Sequence, residues 1–230
     1  VADGWSVALF LRDLSSRYRE YVGVSGDELP ALAVGYYDYA RWQRAWLSGD
    51  RLAADLDFWR QALDGAAPSL ELPTDHPRPP ITTYEGSSLS WRISTETRSR
   101  VEQVARQADV TPYMVLLSAF AALLYRWSGQ HDVVIGSPVA GRTVPGADDL
   151  IGLFVNTLVM RLDLEGVSTF AELLARSRTA TRDALDHQEV PFELVVDAVR
   201  PPRRLDRHPV FQVLFALQNL PVSGLDLPGV

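Results

Sequence analysis

Ile151-Gly152-Leu153-Phe154-Val155-Asn156-Thr157-Leu158-Val159-Met160-Arg161-Leu162 is the stretch on which the fold turns. From Phe154 onward it places Phe154, Asn156, Leu158, Met160 and Leu162 on one face and Val155, Thr157, Val159 and Arg161 on the other. That period of two is the mark of a strand. Just downstream, Thr169 and Glu172 form a capping box for a helix running to about His187. Upstream, Asp132–Ser137 reads as another strand. Before it, Thr111-Pro112 reads as a cap followed by proline at the first helical position, opening a helix over Pro112–Trp127. That helix is apolar on nearly all sides and is expected to be buried. Ser88–Ile93 reads as a strand, followed by a helix carrying Val101, Val104, Ala105 and Ala108, and Val210–Leu217 as a last strand. Strands and helices alternate, so the fold class is mixed α/β, without internal repeat or low-complexity segment.

The first third of the chain reads differently. Val7, Phe10, Leu11, Leu14, Tyr18 and Tyr21 follow Trp5 at helical spacing, with Asp3 placed as the cap and Gly23 and Gly26 ending the helix. Helices over about Tyr37–Leu47 and Leu52–Leu63 follow, separated by Ser48-Gly49-Asp50, and the second stops at Gly65. Five prolines then fall between Pro68 and Pro80. Proline has no backbone N–H and holds its predecessor extended, so residues 68–85 are expected to be a crossing linker. It would divide a first lobe, residues 1–67, from a second, residues 86–230.

Composition narrows the function. Of 230 residues, 47% are hydrophobic and 22% charged, which is the range of ordinary globular proteins. A net charge of -7 argues against nonspecific binding to nucleic acid. The Arg200, Arg203, Arg204, Arg207 run is interrupted by Pro201, Pro202 and Asp206 and reads as a solvated loop. The absence of cysteine excludes disulfides, thiolate metal sites and a cysteine nucleophile. The longest apolar stretch, Met114–Trp127, is too short to span a bilayer, and the expected location is the cytoplasm. His76, His131, His187 and His208 are not spaced as metal ligands, and no dinucleotide, phosphate-loop or serine-hydrolase motif is present. The chain begins at Val1 and ends on Leu227-Pro228-Gly229-Val230, which is expected of an internal fragment.

Five clusters carry the functional reading by their order and separation. They are Asp3-Gly4-Trp5-Ser6; Tyr37-Asp38-Tyr39-Ala40-Arg41-Trp42-Gln43; Ile151-Gly152-Leu153-Phe154-Val155-Asn156-Thr157; His187-Gln188-Glu189-Val190-Pro191-Phe192-Glu193; and Arg207-His208-Pro209-Val210-Phe211-Gln212. Together they resemble the successive core motifs of nonribosomal peptide synthetase condensation domains, with Leu70–Asp75 and Phe58-Trp59 resembling the bridge region. The resemblance covers essentially the whole chain. It implies two lobes like chloramphenicol acetyltransferase: the end of the N-terminal lobe and most of the C-terminal one. The chain departs from the pattern at Gly35, where Gln is frequent, and at Arg204 and Asp206, which replace Asp and Ser.

The family's first motif is His-His-x-x-x-Asp-Gly, and Val1-Ala2-Asp3-Gly4 fits its end, which would place both histidines ahead of Val1. The resemblance therefore implies no catalytic residue in this chain beyond the motif remnant Asp3 and Gly4, and no activity for the fragment alone. It implies an acyltransferase that joins a carrier-bound acyl or peptidyl thioester to a carrier-bound aminoacyl amine. Phosphopantetheine arms are the implied substrates, with no cofactor or metal bound directly. The implied partners are upstream and downstream peptidyl carrier domains and an adenylation domain. Asp3 reads as a helix cap, and the resemblance adds an ion pair with an arginine expected upstream. Trp5, Ser6, Asn156 and Thr157 are candidates for lining a substrate tunnel, and for Asn156 a satisfied buried amide is an equal alternative. Tyr37, Asp38, Tyr39, Trp42, Gln43, His187, Pro191, Phe192, Arg207 and His208 are expected to hold structure. The alternative function is a catalytically silent relative that docks carrier proteins or tailoring enzymes.

Overall fold

The computed structural model describes residues 1–202, 204–218 and 224–229. Arg203 of the arginine-rich run lies outside the described residues. The chain forms two compact units: Val1–Ala53 with Val139–Asn156 and Gln218–Val230, and Ala54–Pro138 with Thr157–Leu217.

The first unit holds α1 (Gly4–Tyr21), α2 (Tyr36–Trp46), the start of α3 (Gly49–Ala62) and a 3-10 turn over Ala147–Asp149. Asp3 is extended and its carboxylate accepts the Ser6 N–H at 2.9 Å, so the expected cap opens α1. The helix ends at Val22 and Gly23, the latter at φ 77°. The face buried by α1 is not the expected one. Ser6, Ala8, Leu9, Ser15 and Ser16 are buried, whereas Val7, Phe10, Leu14 and Tyr21 lie exposed. Small residues let the helix approach its neighbours closely, and here that overrides the apolar stripe. At the start of α2, the Asp38 carboxylate accepts the Gly35 N–H at 3.0 Å. A Cβ added to Gly35 would meet that carboxylate at an ordinary 3.5 Å, so the departure at this position changes nothing in the cap. Tyr39, Ala147, Leu150 and Phe154 form the core of this unit, with Val144 against them.

The second unit contains α4 (Thr95–Gln107), α5 (Pro112–Ser128), α6 (Phe170–Asp186), α7 (Phe192–Val199) and a two-stranded sheet of β1 (Asp132–Val139) and β2 (Asn156–Asp163), apart from the end residues Val139 and Asn156. Thr111 caps α5 with Pro112 in the first turn, and Gly129 closes it at φ 71°. Thr169 and Glu172 form the expected capping box of α6. Two Glu172 bonds, from the Ser168 and Thr169 N–H groups, hold its carboxyl below the ordinary glutamate value. Ala105, Met114, Val115 and Leu174 join α4, α5 and α6 in one core. The buried Ser118 and Ser177 hydroxyls meet at 2.8 Å between α5 and α6, and Ser118 donates to the Met114 carbonyl at 2.7 Å. With that proton used, Ser177 is the donor between the two hydroxyls.

Arg161 fastens the end of α3 to the sheet. It makes two bonds to the Asp132 carboxylate, at 2.9 and 3.0 Å, and donates to the Ala62 and Asp64 carbonyls at 3.1 and 2.7 Å. No helix or strand runs through residues 68–80. This stretch is tied down from outside itself: Gln212 accepts the Leu70 N–H at 2.7 Å and Gln130 the Glu71 N–H at 2.6 Å. The division between the units falls inside α3, so residues 68–85 lie within the second unit.

Four further features differ from expectation. Ser88–Ile93 is not a strand of the sheet; it is exposed throughout, with Leu89 at 85% and Trp91 at 76%. Val210–Leu217 makes one parallel bridge, Gly136 with Leu214, in place of a full strand. α5 is buried along one side only, and Leu123 and Trp127 on it are exposed. α7 is not among the expected helices: at eight residues, Phe192–Val199, it is too short to show a repeating apolar stripe.

Candidate functional site

Asp3 is at once a helix cap and the centre of a buried polar network inside the first unit. One carboxylate oxygen accepts the Ser6 N–H at 2.9 Å, the Ser6 hydroxyl at 2.7 Å and Arg142 Nη2 at 3.1 Å. The other accepts the Phe154 N–H at 2.9 Å. The Asp3 N–H donates to the Gly152 carbonyl at 3.1 Å. The arginine expected upstream of Val1 is thus Arg142, within this chain and 139 residues along it.

The pair is almost wholly enclosed, with side chains 5% exposed for Asp3 and 2% for Arg142. Further hydrogen bonds offset the desolvation of a buried ion pair; the two Arg142 Nη atoms make them, while its buried Nε has no partner among the described residues. Arg142 Nη1 donates to the Ala147 carbonyl and, at 2.8 Å, to that of Leu150. Its guanidinium lies 4.1 Å from the Phe154 ring centre, a cation–π contact. Burial pushes the Asp3 carboxyl upward, but the Ser6 hydroxyl, the Phe154 and Ser6 amides and Arg142 outweigh it and hold it below the ordinary aspartate value. A carboxylate held ionised and saturated with donors is a poor proton acceptor. Its chemistry here is to fix backbone.

Ser6 shares that task. Its hydroxyl is fully buried, lies 2.8 Å from the Gly152 carbonyl and accepts the Gly152 N–H at 3.0 Å, with Arg142 Nη2 also at 3.0 Å. The hydroxyl has one proton, so Asp3 and the Gly152 carbonyl share it as alternative acceptors. Two glycines admit this close approach. A side chain on Gly141 would overlap the Phe154 carbonyl, and one on Gly152 would overlap the Tyr36 ring. Tyr36 also donates its hydroxyl to the Leu153 carbonyl at 2.8 Å.

The structure thus gathers Asp3, Gly4 and Ser6 with Gly152–Phe154. Trp5 is half-buried and its indole donates to the Asp148 carbonyl at 2.9 Å. Asn156 and Thr157 are half-buried at the start of β2. Tyr37 is exposed, Asp38 caps α2, Tyr39 is in the core and Trp42 packs tilted against Tyr39 at 5.8 Å and stacks on Trp46 at 5.4 Å. The Gln43 carbonyl accepts the Leu47 N–H at 2.8 Å, closing α2.

The remaining motif residues form two clusters in the second unit. His187 closes α6, stacks on Phe58 with centroids 3.8 Å apart, and places Nδ1 2.6 Å from the Asp55 carboxylate. Phe192, His208 and Phe211 stack together at 4.5 to 5.6 Å, with Pro191 at the N-cap of α7. Arg207 is not solvated as a loop arginine would be: it pairs with Glu71 at 2.6 Å and Asp206 at 3.2 Å. The two departures from the family pattern, Arg204 and Asp206, pair with each other at 2.8 and 3.0 Å. Arg204 first, and then Arg207, hold the Asp206 carboxyl well below the ordinary range.

Sequence reasoning missed Arg142 and Tyr36 as members of the network, and named Gly152 only as part of a motif. The available signal was Gly141-Arg142, a glycine followed by a single arginine just after the strand expected at Asp132–Ser137. Among the described residues, no group of His, Cys, Asp and Glu is arranged to hold a metal ion. No single helix there is long and apolar enough to cross a membrane.

Comparison with known proteins places the chain in a family. The chain is 48% identical over its full length to malpinin synthetase of Mortierella alpina and 45% identical to a linear gramicidin synthase of Brevibacillus parabrevis. It spans only 3% and 4% of those two proteins. Among solved structures, the X-domain from teicoplanin biosynthesis superposes with a TM-score of 0.82 at 31% identity, over 93% of this chain and 48% of that one, and is also known in a complex with OxyB. A holo four-domain nonribosomal peptide synthetase bound to AMP and glycine matches with the same score and identity over 95% of this chain and 16% of that one. The condensation-domain family model matches residues 1–227, and the chain belongs to the condensation-domain family of nonribosomal peptide synthetases.

Proposed function

We propose that this chain is part of a domain that forms an amide bond between two carrier-bound substrates. The amine of an aminoacyl group attacks the thioester carbonyl of an acyl or peptidyl group, the C–S bond breaks, and the phosphopantetheine thiol leaves with the proton lost by nitrogen. The observation that carries this reading is the enclosed Asp3–Arg142 pair with Ser6, which pins the backbone entering α1 to Gly152–Phe154. Asp3 occupies the aspartate position of the His-His-x-x-x-Asp-Gly motif. A fixed Asp-Gly corner is what a histidine placed just before it needs in order to meet two flexible arms in one geometry. Phosphopantetheine arms are substrates in this reading, and no bound cofactor is required. Upstream and downstream carrier domains and an adenylation domain are the partners.

The reacting histidine belongs to the motif ahead of Asp3, and His76, His131, His187 and His208 all lie in the second unit, so none of them belongs to the network. The test is product formation from loaded carrier proteins. The synthetase module containing this domain is expected to release the amide product, its Arg142→Ala variant to lose at least about 100-fold in turnover, and the 230-residue chain alone to release none. Product from the isolated chain, or none from the module, would reject the reading.

A second reading, a silent domain that docks carrier proteins or tailoring enzymes, is favoured by one observation: the similarity to an X-domain known in a complex with a partner protein. It expects carrier binding by the module without product.

A further inference from the structure

We infer that Tyr36 is a positioning residue for the proposed condensation, acting through Gly152–Phe154 on Asp3. The inference rests on the function proposed above and adds a residue to it. Three contacts carry it, all inside the first unit. The Tyr36 hydroxyl donates to the Leu153 carbonyl at 2.8 Å. Its ring packs edge-on against Phe154 at 5.2 Å and is stacked on Tyr39 at 6.1 Å. It also occupies the space that a side chain at position 152 would need.

Gly152, Leu153 and Phe154 are consequently gripped from two sides. Asp3 and Ser6 take the Gly152 carbonyl and the Gly152 and Phe154 N–H groups. Tyr36 takes the Leu153 carbonyl between them, a group the Asp3 side does not reach. The Phe154 ring also lies under the Arg142 guanidinium at 4.1 Å, so Tyr36 leans on the ring that supports the arginine paired with Asp3. Loss of the Tyr36 grip lets the segment rotate about Leu153 and carries Asp3 with it. The Tyr36 phenolic proton is engaged by the Leu153 carbonyl, so its part is geometric, and small displacements are costly where two arms must meet.

The experiment uses the synthetase module with loaded carriers. Tyr36→Phe keeps the ring and removes one hydrogen bond, and is expected to lower kcat about fivefold with KM for both carriers and melting temperature unchanged. Gly152→Ala is expected to lower kcat further, because its methyl and the Tyr36 ring cannot share one space. Tyr36→Ala in the same chain is expected to restore part of that loss, so that the double variant exceeds Gly152→Ala alone. An unchanged kcat in Tyr36→Phe, or losses that add without recovery in the double variant, overturns the role of Tyr36 while leaving the condensation reading in place. A wild-type module that forms no amide overturns both.

Discussion

Each unit contains a glycine pressed against an aromatic ring, and the two contacts are secured by different physics. In the first unit Gly152 faces Tyr36; in the second, Gly136 faces the Phe211 ring. The backbone at Gly152 is bound to the Asp3 N–H and the Ser6 hydroxyl, and Ser6 in turn to the buried Asp3 carboxylate and Arg142. The backbone at Gly136 is held without charge. It donates to the Val213 carbonyl at 2.9 Å and accepts the Phe215 N–H at 2.8 Å, while Tyr113 donates to Ser137 at 2.7 Å and Ser137 to the Phe215 carbonyl at 2.9 Å. Val210, a β-branched residue at φ 69°, makes the turn that brings Phe211 onto the glycine. One contact is electrostatic and sensitive to proton concentration; the other is steric and carries backbone strain.

That contrast breaks first at Arg142. Arg142→Ala leaves the Asp3 charge enclosed without its partner, and urea unfolding is expected to show a loss of about 3–5 kcal/mol. The acid limb supplies the sign. Asp3 is held below the ordinary 3.8, so its stabilising contribution is complete above that value and is lost as pH falls through the lowered one. Asp3→Asn should therefore flatten the loss of stability at low pH, and an unaltered acid limb would show that Asp3 is not the group responsible.

The steric contact is expected to yield less. Gly136→Ala overfills the space against Phe211, a ring already fixed by Phe192 and His208, and should cost about 1–3 kcal/mol in urea unfolding. The smallest effect has the opposite direction. Val210→Gly removes a side chain from a left-handed conformation and is expected to raise stability by up to about 1 kcal/mol in the same denaturation measurement. A loss there would mean that Val210 packs better than its backbone is strained.

What could be read from the residues follows the range of the interactions. Asp3 before α1, Thr111-Pro112 before α5 and Thr169 with Glu172 before α6 are local devices, completed within a few residues, and the helices begin where those signals stand. The side that α1 buries was not legible, because Ser6, Ser15 and Ser16 are chosen for close approach and for distant partners and not for apolarity. The same holds for the site. Asp3 and Gly152 were visible as motif members, but Arg142 joins them across 139 residues of chain, and no spacing rule reaches that far. Ser88–Ile93 alternates as a strand should, yet a ladder needs a neighbour and periodicity alone does not supply one.

The exposed stretch around Ser88–Ile93 has a practical consequence. A protease cleft binds backbone in extended form and needs several consecutive residues free of a ladder. Residues 83–94 are exposed without interruption and carry Arg92. A trypsin cut there would fall within the second unit, between the anchors of the proline-rich stretch at Leu70 and Glu71 and the start of α4. The two pieces would remain associated through Gln212, Gln130 and the Arg161–Asp132 clasp on the end of α3, so a nicked molecule would run as one species until denatured.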